Sequence, residues 1–122
     1  MKKRGILCIA ALFALTLLVG CDSKPSGMSD TAYRAGNKAV EIAESYLNMD
    51  ISQKEAYDQL DEVYDRLGDS EDESISDLSV RIEINTLQIH LLSISESARD
   101  VDEKVEKDLG ELRSLLKYGR IK

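Results

Sequence analysis

Apolar residues recur at intervals of three and four along three stretches of the chain after residue 29. Because an α-helix repeats every 3.6 residues, this spacing places the apolar side chains on one helical face. The three sets are Tyr33, Gly36, Val40, Ala43 and Leu47; Ala56, Leu60, Val63 and Leu67; and Val105, Leu109, Leu112 and Leu116. Each face must be buried against another element, so the pattern predicts an all-α fold, a small up-and-down bundle of about four helices.

The first helix is predicted to extend from Ser29 or Asp30, as its N-cap, to about Asn48. A second seam of small residues lies beside its apolar stripe. The members of this seam are Ala32, Gly36, Ala39 and Ala43. Gly36 costs about 1 kcal/mol relative to alanine in a helix interior, which either the close approach of another helix or simple tolerance would explain.

Local start signals define two further helices. Ser52 and Glu55 are spaced as a capping box, and Gly68 follows at a position typical of a helix end. The last helix is predicted to begin at Asp100, with Glu103 at the capping-box position.

The segment Ile75–Ala98 fits two templates. As a helix it has two apolar faces, which predicts a central helix packed on both sides; one face is Ile75, Leu78, Ile82, Ile89 and Leu92, and the other is Val80, Ile84, Leu87, Leu91 and Ile94. As strands, Val80–Ile84 and Leu87–Leu91 alternate about Asn85-Thr86. We favour the helix, because Asn-Thr lacks the glycine of the preferred hairpin turns and an isolated hairpin is marginally stable.

The N-terminus has the features of a secretory leader. A positively charged start at positions 2–4 precedes the apolar run Ile6–Val19, and the small residue Gly20 stands directly before Cys21. The alternative is a retained transmembrane anchor. An apolar run of 14 residues is short of the roughly 20 needed to cross a bilayer, which favours the cleaved leader.

The stretch Leu18, Val19, Gly20 and Cys21 resembles the lipobox of bacterial lipoproteins. The resemblance implies that the Cys21 thiol is diacylglycerylated, that signal peptidase recognises the three residues before it, and that cleavage precedes Cys21. It also implies a lipid-anchored protein on the outer face of the cytoplasmic membrane. Asp22 resembles the residue that retains enterobacterial lipoproteins at the inner membrane.

Three regions follow from this interpretation. Residues 1–20 are a signal peptide, residues 21–28 are the lipidated cysteine with a flexible tether, and residues 29–122 are the helical bundle. Cys8 leaves with the leader and the lipid occupies the thiol of Cys21, so no disulfide, thiol catalysis or cysteine-based zinc site is expected.

The mature chain is acidic. Loss of three basic residues with the leader moves the formal net charge from −7 to −10, and most of the excess lies between Asp50 and Asp77. Nucleic acid and anionic lipid headgroups repel such a chain, so no nucleic-acid partner is expected and only the N-terminal lipid is expected to hold the protein on the membrane.

Candidate binding residues lie on the second helix. The acids Asp58, Asp61, Glu62 and Asp65 share one face. One interpretation is a docking face for a basic envelope protein; a second is a site for cations or a small ligand over residues 58–77; the third is an ordinary solvated surface.

Two tyrosines flank this acidic face. Tyr57 and Tyr64, seven residues apart, either present their rings to an envelope partner or close the edge of the core with the hydroxyl in water.

The sequence contains no recognisable arrangement of catalytic residues. His90 is the only histidine, and on the helical interpretation it lies on a polar stripe with Glu83 and Thr86. A lone histidine is a poor metal site, and no nucleophile with a positioned base can be named. The sequence therefore predicts a non-enzymatic interaction module without a cofactor, with no metal ligand and no catalytic residue assigned.

Overall fold

The computed structural model describes residues 24–68, 73–93 and 97–120. The described residues form four helices: α1 Asp30–Leu47, α2 Gln53–Leu67, α3 Ile75–Leu91 and α4 Ala98–Tyr118. Since the described part of the chain contains no strand, the all-α prediction is confirmed and the hairpin alternative for residues 80–91 is wrong. The predicted leader, its lipobox and the acidic residues Asp69, Glu71 and Asp72 lie outside the described residues. None of the described helices has the length and apolar character required to span a bilayer.

Every helix begins after a serine whose hydroxyl accepts a backbone N–H three residues later. The four serines are Ser29, Ser52, Ser74 and Ser97, with oxygen–nitrogen distances of 3.1 to 3.2 Å. The capping box of Ser52 and Glu55 is complete. The predicted start of the last helix at Asp100 is wrong, because the Ser97 hydroxyl accepts the Asp100 N–H and α4 begins at Ala98.

Neighbouring helices run antiparallel, as hydrogen bonds between their ends show. The Tyr46 hydroxyl, near the end of α1, donates to Asp102 at the start of α4 at 2.7 Å. The Gln53 side chain, at the start of α2, donates to the Leu91 carbonyl at the end of α3. Helix α1 also contacts α3 across the bundle. The arrangement is the predicted up-and-down bundle.

Small residues line the core-facing side of α1. Its buried residues are Ala32, Gly36, Ala39, Ile42 and Ala43, whereas Tyr33, Val40 and Leu47 of the other predicted stripe are only partly buried. A Cβ at Gly36 would lie 2.5 Å from Cδ2 of Leu116. The close approach of α4 therefore explains why a glycine occupies this helix interior.

The end of the predicted tether packs on the bundle. Pro25 and Met28 are buried, and the Lys24 ammonium lies 2.6 Å from the Asp30 carboxylate. Pro25 lies beside Gly119 at the end of α4, where an added Cβ would come within 3.3 Å of the proline ring. Residues 25–28 of the predicted tether therefore pack on the bundle, and Met28 contributes to the core.

Helix α3 buries only one of its two apolar faces. Val80, Ile84, Leu87 and Leu91 are buried, and α3 contacts each of the other three helices. The opposite face is exposed to solvent. The prediction that α3 packs on both sides is wrong for the described residues, since all three partner helices lie against the same side.

Candidate functional site

Three acidic side chains meet at the interface of α3 and α4. Glu83 comes from α3, and Asp108 and Glu111 come from α4; one carboxylate oxygen of each lies within 4.8 Å of the others. Only 4% of Glu83 and 2% of Asp108 are exposed to solvent, and Glu111 is half-buried. We call these three residues the acidic interface cluster.

The helical repeat places this cluster among core positions. Glu83 lies three residues after Val80 and four before Leu87, both of which are fully buried. Asp108 has the same relation to the buried residues Val105 and Leu112. Both carboxylates therefore point toward the core side of their helices, and the antiparallel packing of α3 and α4 brings them together.

Burial changes the acid–base behaviour of the cluster. The loss of solvation, the negative charges of Glu111 and Asp108 and a hydrogen bond with Glu111 together raise the pKa of Glu83 to about 8, against a smaller lowering by Lys107. Burial also raises the pKa of Asp108, against the opposing effect of His90. Glu83 therefore holds a proton at neutral pH unless a cation compensates its charge.

One oxygen of the cluster is not satisfied. Among the described residues, Oε1 of Glu83 is buried and has no hydrogen-bond partner. Most buried polar atoms in folded proteins have a partner, and leaving one without costs about 1 to 3 kcal/mol. The cluster can therefore gain a partner for this oxygen, from a bound ion or water.

His90 extends the cluster toward solvent. Its Nδ1 contacts Oδ2 of Asp108, and about a quarter of its side chain is exposed. The expected polar stripe of His90 and Glu83 therefore exists, but it faces α4 instead of solvent. The contact fixes the orientation of the Asp108 carboxylate.

The predicted partner-binding acids lie elsewhere, on the exposed side of α2. Asp58, Asp61, Glu62 and Asp65 are all exposed. Two of them form ion pairs along the helix, Asp58 with Lys54 at 2.7 Å and Glu62 with Arg66 at 3.3 Å.

A third acid of this face makes a contact between helices. Asp61 accepts a hydrogen bond of 3.1 Å from the amide of Gln88 on α3. The four acids thus share a face, as the spacing predicts, but they do not converge on a common point.

Tyr57 and Tyr64 are partly buried and pack against the hydrophobic core. This placement corresponds to the interpretation in which the two rings close the edge of the core.

The exposed face of α3 is the main apolar surface of the described residues. The exposed fractions are 85% for Ile75, 40% for Leu78, 54% for Ile82, 55% for Ile89 and 54% for Leu92. Asn85 is also exposed and occupies the remaining position of the same three–four spacing. We call these six residues the α3 stripe.

The acidic interface cluster was not found by sequence reasoning. The available signal was the position of Glu83 within a run of core spacing, between Val80 and Leu87, and the same relation of Asp108 to Val105 and Leu112. An acid at a core position normally argues against burial, so the pattern alone assigned Glu83 to the polar side.

No protein-family model matches the chain, no curated protein matches it, and no solved structure matches it.

Proposed function

We propose that this chain is a lipid-anchored, non-enzymatic interaction module on the outer face of the cytoplasmic membrane, and that it associates with a second copy of itself through the α3 stripe. The anchor is supported by Leu18–Cys21, which resembles a lipobox. The observation that carries the interaction is the exposed apolar face of α3.

The α3 stripe has the spacing of a helix–helix interface. Its members alternate at intervals of three and four from Ile75 to Leu92, the heptad pattern by which two helices pack side by side. At 1.5 Å per residue the stripe is about 25 Å long. A contiguous apolar surface of this kind in a small protein is typical of an interaction site.

The charges around the α3 stripe favour a second copy of this chain as the partner that binds there. The positions that flank the stripe are Ser79, Thr86 and Ser93 on one side and Arg81 and Gln88 on the other. Arg81 is paired with Glu73 at 3.1 Å, so the surroundings of the stripe contain little net charge. Two acidic molecules can therefore meet here without strong repulsion, whereas a basic partner would be attracted to the exposed acids of α2.

Asn85 favours a parallel arrangement of the two copies. In a parallel pair in register, the Asn85 amides of both copies face each other and form hydrogen bonds, as a single buried asparagine does in coiled coils. A parallel pair also keeps both N-terminal anchors at the same end of the dimer. Only residues 22–24 separate Cys21 from the packed Pro25, a span of about 14 Å at most.

The proposed interface is small, and anchoring in a shared membrane would offset the weak affinity that follows from its size. A 25 Å stripe buries less than the roughly 800 Å² per partner of a standard interface, so weak association is expected in dilute solution. Anchoring on a shared bilayer raises the effective concentration of the copies. Association is therefore expected to be stronger on membranes than for the same chain dispersed in excess detergent.

Oxidative cross-linking in membranes tests this proposal. The full chain with Asn85→Cys should form a disulfide-linked dimer, since facing positions of paired helices bring Cβ atoms within disulfide range. The matched control is Glu62→Cys on the exposed side of α2, which should give no disulfide-linked dimer because its cysteines lie away from the stripe. Adding Ile82→Glu and Ile89→Glu to the first variant should abolish its cross-link without unfolding the protein, because both side chains are exposed.

Four results would contradict the proposal. Equal cross-linking of both cysteine variants, or none of the Asn85→Cys variant, would exclude self-association through the stripe. A cross-linked product of a different mass would assign the stripe to another protein. Mass spectrometry of the wild-type protein showing an unmodified Cys21 would exclude the lipid anchor.

A further inference from the structure

The acidic interface cluster is built from two helices and lies apart from both the α3 stripe and the acids of α2. We propose that it binds one hard divalent cation, with Glu83, Asp108 and Glu111 as the protein ligands. The binding would join α3 to α4. This site is independent of the proposed self-association.

The spacing of the three carboxylates fits a single ion. Their nearest oxygens all lie within 4.8 Å of one another. Oxygen ligands of Ca²⁺ and Mg²⁺ lie at about 2.0 to 2.6 Å from the metal, so two ligands on opposite sides of an ion are about 4 to 5 Å apart. Small rotations of the side chains would therefore let one ion contact all three carboxylates.

A second observation that supports a cation site is the buried oxygen of Glu83 that has no hydrogen-bond partner. Glu83 is 96% buried, since its exposed fraction is 4%, and its Oε1 lacks a hydrogen-bond partner within the described residues. A buried carboxylate oxygen of this kind is costly unless it is paired or coordinates a metal. A cation in the cluster would provide the missing partner.

The negative charge of the acidic interface cluster also favours the binding of a cation. Fully ionised, the three carboxylates carry three negative charges, and Lys107 is the cation that acts on both Glu83 and Asp108. A divalent ion would bring this group close to neutrality. His90, through its contact with Asp108, would orient that ligand in the way outer residues commonly do at metal sites.

The ligand set determines which cations are expected. Carboxylate oxygens suit the hard cations Mg²⁺, Ca²⁺ and Mn²⁺. Mg²⁺ gives up its water molecules reluctantly, and the burial of Glu83 and Asp108 leaves little room for them. The expected order of affinity is therefore Ca²⁺ and Mn²⁺ above Mg²⁺.

Direct binding of Mn²⁺ tests the site. The full chain, purified in detergent at pH 8.5, should remove about one equivalent of Mn²⁺ from the aqueous electron paramagnetic resonance signal, and Ca²⁺ should compete. Saturating Ca²⁺ should raise the Tm by several degrees relative to Na⁺ at matched ionic strength. Binding should weaken by at least about tenfold toward pH 6, because the carboxyl groups must lose their protons.

Three variants decide where the ion binds. Glu83→Gln keeps the shape of the protonated acid and should weaken binding by about tenfold or more, and Glu111→Gln, at a half-buried position, should do the same. Asp65→Asn removes one exposed charge from α2 and should bind like the wild type. Circular dichroism checks that each variant is folded.

Two results would overturn this inference. The first is an absence of bound Mn²⁺ and of any Ca²⁺-specific Tm shift in the folded wild type, which would identify the cluster as a group that only holds protons. The second is unchanged binding in Glu83→Gln, particularly with weakened binding in Asp65→Asn, which would assign the ion to the exposed acids.

Discussion

Helices α2 and α3 use polar and apolar residues in opposite ways. In α2 the apolar positions Ala56, Leu60 and Val63 are buried, and the acids are in solvent. In α3 the apolar residues of the stripe are in solvent, while Glu83 and Gln88 are buried. Residue polarity alone therefore assigns the faces of α2 correctly and those of α3 only in part.

The difference arises from what each helix must contact. Helix α2 packs on α1 and α3 and has one apolar stripe to bury. Helix α3 contacts α1, α2 and α4, yet it has two apolar faces, and the described helices cover only one of them. We propose that the exposed face, the α3 stripe, mediates self-association. We propose that the buried acid, Glu83, takes part in binding a cation.

Substitution of Ile84 and Ile82, which lie on opposite faces of α3, tests this contrast most strongly. Ile84→Ala should lower the free energy of unfolding by about 2 to 5 kcal/mol, because it leaves a cavity in the core. Ile82→Ala, on the exposed face, should change it by less than about 0.5 kcal/mol when the protein is monomeric. Denaturant titration at low protein concentration measures both values. A similar loss for the two variants would show that the stripe is covered within the monomer.

The next largest expected effect is the pH dependence that Glu83 gives to the free energy of unfolding. Its pKa is raised from 4.5 to about 8 in the folded protein, so the folded state holds the proton more tightly than the unfolded state. The resulting stability is complete below about pH 4.5 and is lost as the pH rises through 8. Relative to Glu83→Gln, the metal-free wild type should lose more than about 1 kcal/mol between pH 5 and pH 9, since one pKa unit corresponds to about 1.4 kcal/mol.

Urea titrations of both proteins across this pH range, with a chelator present, provide the measurement. The difference between the two proteins isolates Glu83 from the surface carboxylates. A constant difference across the range would mean that Glu83 is ionised in the fold.

Removal of helix caps should have a smaller effect. Ser52→Ala and Ser97→Ala each lose a hydroxyl that accepts a backbone N–H, at an expected cost of about 1 kcal/mol. Thermal unfolding followed by circular dichroism compares them. No effect of Ser97→Ala, with a clear loss on Asp100→Ala, would restore the later start that the sequence pattern indicated for the last helix.

The acidic face of α2 should show the smallest effect. Changing Asp58, Asp61 and Asp65 to asparagine relieves repulsion between like charges and keeps an acceptor for Gln88. Stability should remain unchanged or rise by a few tenths of a kcal/mol. Capture of envelope proteins from membranes at low and at physiological salt, by wild type and variant, tests the docking interpretation. If the wild type alone captured a partner, and salt weakened this capture, the acidic face of α2 would be the docking surface.

Sequence reasoning was most accurate where local chemistry is sufficient. The Ser52–Glu55 capping box and the core positions Leu60 and Leu112 are as predicted. It was less accurate at the start of α4, where the pattern indicated Asp100 and the structure uses Ser97. Two capping residues three apart compete there, and the choice depends on how the preceding segment approaches the helix.

The lipobox remains a prediction from Leu18–Cys21. Its recognition depends on a short linear pattern that an enzyme reads in an extended chain, so tertiary structure is not needed to define it. The same holds for the proposed location at the membrane.

The sequence by itself determined that α1, α2 and α4 are helices and which residues of α2 and α4 form the core, and it favoured a helix over a hairpin for α3, because helical periodicity and capping act over a few residues. Only the tertiary structure decided which face of α3 is buried, and why Gly36 lies against Leu116. It also decided that Glu83 meets Asp108 and Glu111. These contacts join residues far apart in the chain, and their free energies depend on the register of two helices, which no local pattern specifies.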